Sequence, residues 1–149
     1  MGVLEFMPAT RKVLRLLASE PAEFAEKYGV HLHEVAQTVA QHSLAFMKTF
    51  PLETSPDWFG HFAIEGESQR LIGICSLKGP PVDGMVEMAF YTFPGFEGLG
   101  VATEMARFLP YSMSQGFAPP LFFLQVYLRI PMLWRFFGRQ FLVIGRKPR

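Results

Sequence analysis

Apolar positions in the first fifty residues keep helical spacing. Val13, Leu14, Leu16 and Leu17 follow Thr10, a residue suited to capping a helix, and predict a helix there. PAEFAEKYG predicts a second short helix, opened by Pro21 and ended by Gly29. From His33 to about Thr49 a longer helix is expected, with Val35, Val39, Phe46 and Met47 on its apolar side. Pro51 to Pro56 reads as a loop.

Beyond that loop the period changes. Trp58 to Ile64 and Arg70 to Leu77 are short apolar runs on either side of EGESQ, which predicts a hairpin. KGPPVDG, residues 78–84, is a turn or loop. Met85 to Phe93 predicts a third strand, broken by Pro94 and Gly95. A helix is expected from Gly100 to Gln115 with Gly116 as its stop, then a fourth strand from Leu121 to Leu128. The tail permits a helix from Pro131 to Phe137, a break at Gly138 and a strand from Gln140 to Ile144. Helices first and then β-β-β-α-β argue for an α/β fold with a mixed sheet.

Composition narrows this further. At 149 residues the chain has the length of one domain, 1–149, able to bury roughly two-thirds of its unfolded surface. Half its residues are apolar and 18% are charged, which excludes disorder. Sixteen Phe and eight Met imply a bulky core with Met filling its gaps. The single cysteine, Cys75, excludes an internal disulfide and fits a reducing cytoplasm; within the apolar run Leu71 to Leu77 it reads as a buried, inert thiol. No apolar run is long enough to span a membrane, and the N-terminus lacks the pattern of a secretory signal. The expected protein is therefore soluble and cytoplasmic.

A net charge of +1 hides an asymmetry. Residues 1–128 hold 8 basic and all 13 acidic residues, a net −5, whereas residues 129–149 hold 6 basic residues and no acid.

The chemistry is expected in VEMAFYTFPGFEGLGVATEMARFL, where a strand ends, Pro and Gly turn the chain, and Gly98 and Gly100 open a helix. Such a place presents unpaired backbone N–H groups and the positive end of the helix dipole. A pyrophosphate fits there, and glycines let it approach the backbone closely. The same glycines would also serve a plain strand-turn-helix that needs them only for backbone angles.

This stretch resembles motif A of the GNAT superfamily of N-acetyltransferases, whose loop reads Gln/Arg-x-x-Gly-x-Gly/Ala. Here the loop is Glu97, Gly98, Leu99, Gly100, Val101, Ala102. The preceding strand, Glu87-Met88-Ala89-Phe90, is similar to the family's Glu-Ile-Gly-Tyr, and Pro94 and Phe96 stand where the family has Pro and Tyr. Gly100 to Glu104 resembles the Gly-Tyr-Ala-Thr-Glu of the branch that includes ribosomal-protein N-terminal acetyltransferases, as does LIGICSLKGPP upstream. The resemblance implies a GNAT-like, mixed but mostly antiparallel central sheet flanked by helices, with further helices at the N-terminus.

The resemblance also implies acetyl-coenzyme A as co-substrate, no metal, and acetyl transfer to a primary amine on a peptide N-terminus or small molecule, by direct attack in a ternary complex. Its pyrophosphate would sit on the N–H groups of Gly98 to Thr103, with Glu97, Leu99, Val101 and Ala102 in the same loop. Its pantetheine arm would lie where the strand Glu87 to Thr92 splays from Leu121 to Leu128, pairing with main-chain groups of Phe90, Tyr91 and Thr92. The amine must lose a proton, since an alkylammonium has a pKa of about 10. Glu87 is the candidate base, and Tyr127 or Tyr111 the candidate acid for the leaving thiolate.

Two departures from the family pattern matter. Glu97 replaces Gln or Arg, and an acid beside a pyrophosphate costs about 1 kcal/mol when solvated. The family's Pro-Glu-Asn-x-Ala-Ser is absent, and residues 129–149 form an atypical basic, aromatic tail. A shifted reading frame over that tail permits a sequence resembling the missing motif. Its Phe-rich surface also offers a homodimer contact. No nucleic-acid motif accompanies its basic residues, so nucleic acid is not the expected partner. The four histidines, His31, His33, His42 and His61, lack companions at metal-ligand spacing. His61 could face the acceptor cleft, although a structural role is the simpler reading. The alternative to an enzyme is a non-catalytic GNAT-fold binding or interaction module with weakened or lost coenzyme A binding.

Overall fold

A computed structural model describes residues 2–48, 60–78, 85–112 and 141–146, and for 85–87, 110–112 and 141–146 it describes the backbone alone. The chain enters through strand β1 (Leu4–Pro8), then helices α1 (Arg11–Ser19), α2 (Pro21–Tyr28) and α3 (Ala36–Met47). Strands β2 (His61–Glu65), β3 (Arg70–Leu77) and β4 (Met85–Thr92), helix α4 (Val101–Ser112) and strand β5 (Phe141–Arg146) follow.

The helix signals act as their chemistry requires. Thr10 is extended, and its hydroxyl accepts from the Val13 N–H at 3.2 Å, which satisfies one of the four orphan donors of α1. Gly29 ends α2 in the left-handed conformation, at φ +62°. The α1–α3 contact is clamped at both ends. Arg11 Nη2 donates to Met47 O at 3.2 Å, and Gln37 Nε2 donates to Ala18 O at 2.9 Å. Between the clamps, Leu14, Leu17, Phe24, Ala36, Ala40 and Met47 are buried.

The strands form one sheet in the order β1-β2-β3-β4-β5, with every neighbouring pair antiparallel. A bulge lies in β3, where Ala63 opposes Gly73 but Ile64 opposes Leu71, leaving Ile72 as the extra residue. It resets the alternation. Leu71 and Ile74 join Phe62, Ile64 and Phe93 beneath the layer of α1, α2 and α3. Ile72, Cys75 and Leu77 join Ala63, Met88 and Phe90 against α4, through Val101, Met105, Ala106 and Leu109. Gly73 is required at the bulge, because a Cβ there would meet Tyr91 O at 2.9 Å and the Met105 methyl at 3.3 Å. The sheet is thus covered on both faces, an α/β arrangement.

Several expectations change. The chain opens with a strand rather than a helix. β1 is short, mixed in polarity and ends in Pro8, and its pairing with β2 spans some fifty residues, so no local pattern announces it. Pro8 is tolerated because β1 is an edge strand. The expected mixed sheet has only antiparallel strand neighbours among the described residues, apart from a one-residue parallel bridge between His31 and Arg70. The third helix starts at Ala36, not His33. Its buried stripe is Ala36, Ala40 and Met47, whereas Val35 and Val39 are only partly covered and Phe46 is exposed. The strand expected over Trp58 to Ile64 runs from His61 to Glu65, with Trp58 outside the described residues. The loops at 51–56 and 79–84, the strand Leu121 to Leu128 and the tail helix Pro131 to Phe137 also lie outside them. The last expected strand is present as β5.

Burial outweighs capping in holding the helical layer. Phe24→Ala is expected to cost about 3–5 kcal/mol, against about 1 kcal/mol for Thr10→Ala, both read from urea midpoints at constant slope. Burial pushes the Cys75 thiol up to about 12, and the thiol donates a hydrogen bond to the His61 carbonyl at 3.6 Å. An unfolded thiol ionises near its ordinary value of about 8.5, so Cys75 favours the fold below that pH. Its contribution is lost as pH rises from there through 12. Native Cys75 should resist an aromatic disulfide reagent at pH 8 and react fully once the chain is unfolded in urea.

Candidate functional site

The end of β4 feeds two features, a glycine loop and a cleft. Phe93, fully buried, anchors the exit from the strand by donating its N–H to Ile72 O at 2.8 Å. Phe96 donates its N–H to Phe93 O at 3.1 Å, and its side chain packs against both core clusters. Held at these two points, residues 94–100 loop outward and the chain re-enters as α4. Its first helical bond runs from the Glu104 N–H to Gly100 O, at 3.0 Å.

Gly98 and Gly100 have φ of +78° and +84°, values that an L side chain adopts only with strain. No atom lies within 4 Å of where a Cβ would stand on either. The glycines therefore answer a backbone requirement and leave open space in front of it. Residues 97–100 form a hydrogen-bonded turn, and because the first bond within α4 is made by Glu104, the N–H groups of Val101, Ala102 and Thr103 have no acceptor inside the helix. These donors stand at the positive end of a twelve-residue helix. Ala102 and Thr103 are half-buried, Val101 is buried and Leu99 is exposed.

Glu97 is held within the loop. Its Oε2 accepts from the Gly95 N–H at 2.7 Å, which ties the carboxylate to the near side of the loop. Glu104, in the first turn of α4, is paired with Arg107 Nη1 at 2.8 Å, so its charge is partly neutralised.

A cleft opens on the helical face of the sheet, between α3 and the strands β3 and β4. One part has a volume of about 710 Å³ and is lined by Glu34, Val35, Thr38, Val39 and Tyr91 among others. A second part of about 300 Å³ reaches Ser76, Ala89 and Phe90. His42, Ser43, Ile74 and Tyr91 line both, so the two are one continuous groove. Both volumes fall in the range of small-molecule sites. Ile74 and Tyr91 face each other across the β3–β4 pair and form its floor.

The expected site residues divide accordingly. Gly98 to Thr103 come together at the mouth of α4. Phe90 is buried toward α4, and its backbone stands in register with Cys75 on one side and Phe141 on the other. β5 therefore accompanies β4 from Met85 to Phe90, and only Tyr91 and Thr92 extend past it. The main-chain edge foreseen for pantetheine at Phe90, Tyr91 and Thr92 is thus narrowed to the last two residues. Glu87 lies two positions before Ala89 on β4, in register with Ile144. Its side chain, like that of Tyr111, lies outside the described atoms, and Tyr127 lies outside the described residues.

The histidines separate as well. His61 pairs with Cys75, and its ring meets Phe108 of α4 at 4.9 Å, so it lies on the face opposite the cleft. The His33 Nδ1 accepts from the Val35 N–H at 3.2 Å, and its ring packs 5.6 Å from Phe93. His31 bridges the α2–α3 loop to β3 through backbone bonds to Gln69 and Leu71. His42 alone of the four lines the cleft. Among the described residues no group of His, Cys, Asp and Glu is arranged to hold a metal ion, and no helix is long and apolar enough to cross a membrane. Sequence reasoning missed the cleft wall. Glu34, Thr38 and His42 recur every four residues, a polar stripe that helical spacing could have revealed.

No protein-family model, curated protein or solved structure matches this chain.

The loop glycines yield a direct prediction. Gly98→Ala and Gly100→Ala should each destabilise the fold by about 1–2 kcal/mol, from backbone angle alone, since open space awaits the new methyl. Urea unfolding measures the loss.

Proposed function

We propose that the chain is an N-acetyltransferase of the GNAT type, carrying an acetyl group from acetyl-coenzyme A to a primary amine on a peptide N-terminus or a small molecule. The observation that carries this reading is the start of α4, where Val101 to Thr103 have no acceptor within the helix and free space lies over Gly98 and Gly100. Backbone donors on a helix N-terminus suit a diphosphate without needing a basic side chain. The loop grows directly from β4, whose Tyr91 forms the floor of a groove large enough for an acceptor. One strand therefore joins a place for the anionic end of the coenzyme to a place for the amine.

In this reading the bound thioester supplies the acetyl group. Residues 98–103 hold the diphosphate, and Tyr91 and Thr92 offer main-chain groups past the end of β5 to the arm that follows. Holding both partners in one groove removes most of the entropic cost of bringing them together. The resemblance offers Glu87, on the same strand, as one candidate acceptor of the amine proton, with Tyr127 as the candidate donor to the departing sulfur.

Two observations favour a second reading, a non-catalytic module of the same fold. The Glu97 carboxylate lies within the loop that would receive an anion, held on the Gly95 N–H. β5 also runs beside β4 as far as Phe90, shortening the open edge.

Titration calorimetry with acetyl-coenzyme A separates the readings. The enzyme should bind at micromolar concentration and release thiol when amines are added. No binding supports the module. Removing the loop's negative charge with Glu97→Gln should tighten acetyl-coenzyme A about fivefold, which corresponds to about 1 kcal/mol, and flatten the salt dependence of binding.

A further inference from the structure

The groove holds a group that the proposed chemistry has not yet used. His42 lines both its larger and its smaller part, beside Tyr91 and Ile74 on the floor. It is exposed to solvent, on the open side of α3. Glu34 and Thr38 precede it along the same wall at four-residue intervals. The buried stripe Ala36, Ala40 and Met47 fixes the opposite side of α3 against the core, and the Arg11 and Gln37 clamps hold the helix at both ends. The imidazole is thereby carried into the groove by a rigid element rather than by a loop.

We propose that His42 is the group that takes the proton from the acceptor amine; the inference rests on the acetyltransferase reading above. An amine enters the groove as its ammonium form, which has no lone pair to offer. His42 accepts one proton and passes it to the solvent that reaches its exposed ring. The freed nitrogen lone pair forms the bond to the acetyl carbon as the carbon–sulfur bond breaks, and the second amine proton goes to the departing sulfur. One amide, one thiol and one released proton result. Imidazole suits this exchange because its charge changes in the neutral range, so it both accepts and returns a proton there. Among the described residues, the charged and titratable groups that line the groove with His42 are Glu34 from the turn before α3, Lys78 from the end of β3 and Tyr91 from β4. Glu34 is exposed at the far end of the wall, where a carboxylate favours an approaching ammonium.

The test compares the full chain with His42→Gln and His42→Ala, using acetyl-coenzyme A and the best amine of a panel. Acetyl-coenzyme A affinity by calorimetry should be unchanged in both variants. The rate at saturating amine should fall about a hundredfold, the acidic limb of the pH–rate profile should disappear, and added imidazole should restore rate to His42→Ala. In the unmodified chain, the His42 ring proton resonance should move when amine is added in the absence of coenzyme. A pH–rate profile of His42→Gln that matches the parent, with coenzyme bound and turned over, overturns the role of His42 and leaves the acetyltransferase reading standing. Loss of the acidic limb in Glu87→Gln instead would also overturn it. Failure of acetyl-coenzyme A to bind the parent chain overturns both.

Discussion

Strand β3 is the constraint on which the rest of the molecule depends. It is paired on both edges and buried on both faces, and it carries an extra residue at Ile72. Without that bulge, strict alternation would place Leu71 and Ile74 on opposite sides. With it, both face the layer of α1 to α3, and Ile72, Cys75 and Leu77 face α4. Each helical layer therefore finds a continuous apolar floor. Close packing leaves no slack at the crossing point, where Gly73 lies under the Met105 side chain and beside Tyr91 O.

The same strand sets the geometry of the site. Ile74 opposes Tyr91, so the register of β3 decides that Tyr91 floors the groove and that Phe90 turns toward α4. Ile72 O then receives the Phe93 N–H and fixes where β4 ends. From that point the loop has only seven residues, 94–100, to reach the start of α4, and three positive-φ glycines make the path. The start of α4 and the groove beside β4 are consequences of one pairing pattern.

The glycine loop was legible because its signal is local. Pro94 fixes φ while Gly95, Gly98 and Gly100 permit positive φ within the same seven residues, and the helix they open follows at once. The groove was not legible in the same way. Glu34, Thr38 and His42 mark one side of α3, but their meaning depends on which strands α3 packs against, and that is a contact between distant parts of the chain. The pairing of β5 with Met85 to Phe90 was equally hidden, since two apolar strands can pair with many partners and only the assembled sheet selects one.

By itself the sequence determined the helices α1, α2 and α4, the hairpin of β2 and β3, the inert setting of Cys75 and the turn chemistry at Gly29 and Gly98 to Gly100. These follow from periodicity, capping and backbone freedom within a few residues. Only the tertiary structure decided that Leu4–Pro8 is a strand, that α3 buries Ala36 and Ala40 rather than Val35 and Phe46, and that His42 meets the groove while His61 does not. Each of those outcomes is a choice of face or partner. Such choices are made by burial summed over the whole assembly, which no short stretch of chain can specify alone.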